Sequence, residues 1–272
     1  MRYLILGSQG FIGKGLYNLL KKEKVSLIRF DSFSNNIRYN ICSNDIIINC
    51  LGKNRNDETF DQLKDLIKFI RIKKKNILWV QLSTPLVYDQ EPKNMEISEN
   101  TKEIPFNKYA LSKLSFDNYL KRKKNNSFNY LILRISTVYD KKMKSKIFSK
   151  LKLINKSVFR SIIINKNTII NYVSLNELAV YIYKLSKNRK SRNKLFVISQ
   201  NIRLVDLLNS SKEKSKPIHK IFIKFKGILK FFFKEPLLFL TNQCTIRSKN
   251  LNKFTKIENR NLSHKKLIKF FR

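Results

Sequence analysis

The chain has 272 residues, 42% of them apolar and 20 of them Phe. That is enough to bury one sizeable core, or a large domain carrying a small one, and it excludes global disorder. The formal charge of +38 suggests a nucleic-acid binder, but Lys outnumbers Arg about three to one and is spread along the whole chain. Arg is the residue suited to bidentate phosphate and base contacts, so solvated lysine faces are expected and no specific nucleic-acid partner.

Cys42, Cys50 and Cys244 form no CxxC motif and no Cys/His cluster, so neither a metal site nor a disulfide framework is expected. Residues 221–240 are the most hydrophobic late stretch, yet Lys224, Lys226, Lys230, Lys234 and Glu235 interrupt them, which argues against a transmembrane helix. The wider stretch 218–240 reads as a helix of a second lobe with snorkelling lysines, or as an interfacial helix making peripheral membrane contact. With no signal peptide ahead of the first strand, the expected location is cytoplasmic.

In chain order, residues 3–6 read as a first strand, followed by the turn Gly7-Ser-Gln-Gly10-Phe-Ile-Gly13 and a helix carrying Leu16, Leu19 and Leu20. A second strand covers 25–30 and ends at Asp31; a further strand covers 45–50. Residues 60–72 place Leu63, Leu66, Ile67 and Ile70 on one helical face. A strand over 77–83, a helix over 109–120 and a strand over 130–135 complete a β/α alternation, which predicts an α/β fold. The sheet is expected to be Rossmann-like, doubly wound and parallel. After about residue 140 lysine-rich helical stretches are broken by short apolar pieces at 161–165 and 195–199, with a further helix over 175–186. We divide the chain into a dinucleotide-binding part, 1–140, and a smaller C-terminal substrate lobe, 141–272, interleaved with it.

Three glycines between a strand and a helix have a physical task. Gly7 permits the tight turn, Gly10 lets the backbone approach a pyrophosphate, and Gly13 lets the helix pack closely on the sheet. Asp31 at the end of the second strand can accept hydrogen bonds from the adenosine ribose, which favours NAD; Arg29 and Arg38 lie near enough in sequence to keep NADP open.

The sequence holds four Tyr-x-x-x-Lys matches: Tyr17/Lys21, Tyr109/Lys113, Tyr119/Lys123 and Tyr183/Lys187. Only Tyr109/Lys113 follows an apolar strand ending in hydroxyls, Ser83-Thr84, and precedes another strand. With the glycine turn, Ser83-Thr84-Pro-Leu-Val87-Tyr88, Tyr109-Ala-Leu-Ser-Lys113, Leu133-Arg134-Ile-Ser136-Thr-Val138-Tyr139 and Asn171-Tyr-Val-Ser-Leu-Asn-Glu177 occur in one order. In these five elements the chain resembles the extended short-chain dehydrogenase/reductase superfamily, the NAD-dependent epimerase/dehydratase enzymes of nucleotide sugars.

The resemblance implies a catalytic set of Thr84, Tyr109 and Lys113. Lys113 lies one helical turn after Tyr109, and its charge can lower the phenol from roughly 10 toward neutrality. Tyr109 then exchanges a proton with a sugar hydroxyl or carbonyl, and Thr84 orients the same oxygen. It also implies cofactor contacts from Gly7, Gly10, Phe11, Ile12, Gly13, Asp31, Asn40, Ile41, Cys50, Leu51, Gly52, Tyr109 and Lys113, and substrate contacts from Thr84, Arg134 and Ser136. Arg134 and the lysines at 141–146 have an alternative reading, as a buried ion pair and a solvated charge run.

Two departures matter. Pro85 and Leu86 stand where the family's dehydratases carry an Asp-Glu pair, so dehydration is disfavoured. About a dozen residues separate Asp31 from the next strand, and residues 37–41 are expected to be the remnant of a third strand, with Asn40 in the place of an adenine-contacting Asp. The function expected is a nucleotide-sugar epimerase or ketoreductase using NAD, with NADP open, in surface polysaccharide biosynthesis. The alternative is a non-catalytic dinucleotide-binding or regulatory protein of the same fold. Whether the chain is a monomer or a homodimer stays open.

Overall fold

The structure, a computed structural model, describes residues 1–30, 36–51, 57–89, 95–105, 107–140, 168–209 and 244–255. Six parallel strands form the main sheet: β1 (Arg2–Leu6), β2 (Ser26–Phe30), β3 (Ile46–Asn49), β4 (Ile77–Ser83), β6 (Phe128–Ile135) and β9 (Lys194–Ile198), in the order β2-β1-β3-β4-β6-β9. The short β5 (Glu96–Ile97) pairs with β11 (Thr245–Ile246), and β10 (Gln200–Arg203), β8 (Ile169–Ser174) and β7 (Thr137–Tyr139) make a three-stranded sheet.

Alternation along each strand sends side chains to opposite faces, and both faces are covered. Tyr3, Ile5, Ile46, Ile48, Leu78, Val80, Leu131 and Leu133 join one core, which also takes α1 (Phe11–Leu20) and α5 (Leu175–Lys187). Leu4, Leu6, Ile47, Trp79, Phe128 and Ile132 join the other core, under α2 (Asn36–Asn40), α3 (Asp57–Lys73) and α4 (Lys108–Lys123). A helix-covered parallel sheet with near-continuous apolar strands is what the β/α alternation predicted. The expected remnant of a third strand is corrected: residues 36–40 are helical, and β2 is the sheet edge among the described residues. Ile37 and Ile41 bury at helical spacing in the second core, and that burial wins over strand pairing.

Three expected features lie outside the described residues: the apolar piece at 161–165, the lysine run at 141–146 and the helix at 218–240.

Candidate active site

Because all six strands run one way, their C-terminal ends line one edge. The glycine turn opens there. Gly7 has a left-handed φ of 75°, and its N–H donates to Phe30 O at 2.7 Å, which ties the turn to the end of β2. A Cβ on Gly13 would lie 2.2 Å from the carbonyl oxygen of Gly7, so only glycine lets α1 start on top of the turn. A Cβ on Gly7 would meet Leu51 and the Cys50 carbonyl carbon within 3.2 Å. The end of β3 therefore abuts the turn. Gly10 caps α1 with no side-chain hydrogen bond, and no acid stands in the first turn. Phe11 and Ile12 are half-buried against the core. The first turn thus presents a helix N-terminus suited to an anion.

Tyr109 and Lys113 sit on α4, whose start is fixed by Asn107 accepting from Ala110 N at 2.8 Å. Ala110 packs with Val87 and Tyr88, which brings the start of α4 against the turn that follows Thr84. Thr84 is buried, and its Oγ1 accepts from Leu86 N at 3.3 Å, capping the Pro85–Val87 turn. The Tyr109 ring is 42% exposed and Lys113 is 4% exposed, so the phenol reaches the edge while the ammonium stays inside. Lys113 Nζ lies 5.8 Å from the Tyr109 ring centroid and donates to Leu82 O at 2.9 Å.

The seat of Lys113 has a local cause. In the β3–β4 ladder, where Leu78 N donates to Asp45 O, the next bond past the end of β3 would run from Leu51 N to Leu82 O. Leu51 N donates instead to the Asn49 side-chain oxygen at 3.1 Å. Leu82 O then accepts from Gln81 Nε2 at 3.0 Å as well as from Lys113, which fills both its lone pairs. Asn49 Nδ2 in turn donates to Gln81 Oε1 at 2.9 Å, and Trp79 Nε1 donates to the same oxygen. Asn49 and Gln81 are fully buried. Burial pushes the Cys50 thiol up to about 12, against the nearby Lys113 charge, which favours the thiolate.

The other Tyr/Lys matches show how little the spacing alone means. Lys123 stands over Tyr119 at 5.5 Å and Lys187 over Tyr183 at 4.1 Å, the same helical geometry as Lys113 over Tyr109. Tyr119 donates to Lys64 O and Lys187 bonds the Tyr183 hydroxyl, both away from the glycine turn.

Several expected contacts fall elsewhere. Asn40 O accepts from Arg2 Nη2 at 2.8 Å, at the start of β1, so Asn40 and Ile41 lie at the opposite end of the sheet from the glycine turn. The crossover helix α2 places them there, and among the described residues no strand pairs with β2 on its outer side. Arg38 stands over Phe69 and Arg29 over Tyr17. Asp31 and Gly52 lie outside the described residues. Ser136 is at the edge, its Oγ donating to Ser199 Oγ at 2.8 Å.

Arg134 differs from the substrate contact expected of it. It is fully buried, its Nε is 3.4 Å from Asp117 Oδ2, its Nη2 pairs with Glu103, and its guanidinium stacks on Tyr88 at 4.5 Å. Asp117 Oδ2 also accepts from Ser83 Oγ at 2.7 Å. This network clamps the end of β4 to α4 and β6. Burial pushes the Glu103 carboxyl up, but hydrogen bonding and charge from Arg134, with Lys121, hold it below its ordinary value overall. Burial pushes the Tyr88 phenol up to about 12. Asp117, Glu103, Asn49 and Gln81 were missed in the sequence; the one signal was Asp117 a helical turn after Lys113.

Residues 59–164 match the model of the NAD dependent epimerase/dehydratase family. No curated protein matches the chain. Among solved structures, the chain is similar to UDP-glucose 4-epimerase of Thermotoga maritima, solved with UDP-glucose, at 15% identity and a TM-score of 0.66 over 100% of this chain and 99% of that one. It is similar to UDP-glucuronic acid 4-epimerase of Bacillus cereus, solved with NAD, at 13% identity and a TM-score of 0.64 over 95% and 91%. RMD from Pseudomonas aeruginosa, solved with NADPH, gives 12% identity and a TM-score of 0.69 over 100% and 97%. At these identities the likeness is one of fold. The chain has the Rossmann-like fold of short-chain dehydrogenase/reductase superfamily structures, and residues 59–164 carry the match to the NAD dependent epimerase/dehydratase family.

Proposed function

We propose that the protein is an NAD-dependent epimerase or ketoreductase of nucleotide sugars. What supports this reading is that Lys113 is buried against Leu82 O near the end of β4, two residues before Thr84, and that Tyr109 lies one helical turn before Lys113. The glycine turn ends β1 at the same sheet edge, with a helix N-terminus behind it. The residues present fit a dinucleotide: Gly7 and Gly13 exclude side chains from the turn, and the first turn of α1 offers N–H groups to a pyrophosphate. A bound nicotinamide would supply the acceptor and donor of hydride; NADP stays within the proposal.

In this reading Lys113 holds positive charge beneath Tyr109 and favours its phenolate. Tyr109 takes the proton from a sugar hydroxyl as the carbon is oxidised and returns it on reduction. Thr84 hydrogen-bonds the same oxygen and fixes its direction. Pro85 and Leu86 carry no group able to move a proton, which argues against dehydration. The substrate is placed between the sheet edge and the C-terminal lobe, where ligands sit in open α/β sheets. A cytoplasmic step in making a surface polysaccharide is part of the same proposal.

The test is Tyr109→Phe, assayed against a panel of nucleotide sugars with isomer formation and cofactor reduction followed separately. Turnover should fall about 10²- to 10⁴-fold. Isomerisation without net reduction would identify an epimerase, and stoichiometric reduction a ketoreductase. Wild-type turnover in the variant would sink the mechanism.

A further inference from the structure

The same parallel topology that gathers the site at one edge gathers the helix C-termini at the other. Lys21 and Lys22 follow α1, and α3, α4 and α5 each end in basic residues. The adjoining turns leave Lys22, Lys24, Lys75, Lys124, Arg189 and Lys190 exposed. These turns touch one another: Asn44 N donates to Lys75 O at 2.9 Å, Asn76 Nδ2 donates to Asn44 Oδ1 at 2.7 Å, and Arg192 reaches Asn76. They form one face. Among their described residues the acids are Glu23 and Asp45, and Asp45 is buried in an ion pair with Arg2.

Helix dipoles favour cations at helix C-termini and account for part of this pattern. They do not account for the apolar groups on the same face. The three most exposed large hydrophobic residues described are Tyr39 at 85%, Ile72 at 77% and Met1 at 59%. Met1 precedes β1, Tyr39 adjoins the Asn40 carbonyl held by Arg2, and Ile72 is in the last turn of α3, so all three stand at this end.

We infer that this face docks on an anionic lipid bilayer, with the lysines against the headgroups and Met1, Tyr39 and Ile72 in the interface. Lysine near such a surface adds attraction, Tyr suits the headgroup level, and aliphatic tips gain from leaving water. A nucleic acid would use the charge but has no place for Ile72 or Met1, and the prevalence of Lys over Arg suits a surface of point charges. Docking this way leaves the candidate active site facing away from the bilayer. The inference does not depend on the proposed activity.

The experiment is flotation of the full chain with vesicles of phosphatidylcholine alone, or with phosphatidylglycerol added, at near-physiological salt. The wild type should float with the anionic vesicles only. Lys75→Gln and Lys124→Gln should each lower partition about fivefold. The double variant Tyr39→Ser, Ile72→Ser should lower it by a similar factor with an unchanged melting temperature. Failure to float with anionic vesicles overturns the inference. So does flotation indifferent to all of these substitutions, which would put binding elsewhere in the chain, and so does tighter, salt-resistant binding to an RNA oligomer.

Discussion

Asn49→Ala is the most informative single change at the candidate site. The side chain is fully buried and makes two hydrogen bonds, to Gln81 Oε1 and from Leu51 N. At about 1 kcal/mol net for each, plus a small cavity, the variant should lose about 2–3 kcal/mol. For a chain of this size that lowers the melting temperature by roughly 5–10 °C. The exposed consequence is at Lys113. Without Asn49 the Leu51 N–H has Leu82 O as its natural ladder partner, and that oxygen already holds Gln81 and Lys113. Turnover should therefore fall further than unfolding explains, at a temperature where the variant is folded, and its pH profile should shift. Gln81→Leu vacates one lone pair on Leu82 O, so the double variant should lose less stability than the sum of the singles, by about 1 kcal/mol. Thermal melts and steady-state rates measure both. Additive stabilities, with a wild-type pH profile in Asn49→Ala, would refute the account of how Lys113 is seated.

Two further outcomes follow from the geometry. Gly13→Ala puts a Cβ 2.2 Å from Gly7 O, against backbone that cannot rotate away. The turn must open, and dinucleotide affinity, read by calorimetry, should fall about 100-fold or more if the turn holds a pyrophosphate; unchanged affinity would remove the turn from the site. Glu103→Gln should lower stability by about 2 kcal/mol near neutral pH, because it takes a charged partner from the buried Arg134. Glu103 is held below its ordinary value in the folded state, so its contribution is complete above the unfolded carboxylate pKa and disappears as pH falls through the lowered folded one. The gap between wild type and variant should thus close in acid; a gap that widens would show that the pairing is misread.

Much of the fold could be read in advance because local patterns and tertiary demands agree. Apolar runs such as residues 77–83 need burial on both faces, which only a helix-covered parallel sheet provides. Leu63, Leu66, Ile67 and Ile70 stand at 3.6-residue spacing and lie in the second core. Residues 37–41 fit a short strand as well as one helical turn, and the sequence carries no information on whether an edge strand exists beyond β2. The sheet order decided that. One helical turn brings Tyr109 and Lys113 together but does the same for Tyr119/Lys123 and Tyr183/Lys187; the strands on either side are what singled out the first pair.

What the sequence determined alone is therefore what short range enforces: the types of the longer elements, the glycine turn, and a Tyr/Lys pair with a strand on either side. What only the tertiary structure decided is which groups meet across the sheet. The strand register diverts Leu51 N to Asn49, Arg134 is drawn inward by Asp117 and Glu103 on separate segments, and the basic ends of α1, α3, α4 and α5 are collected at one end because these helices return antiparallel to the strands of the main sheet. Those outcomes depend on contacts between distant residues, where hydrogen-bond satisfaction and burial are settled only once the whole sheet is assembled.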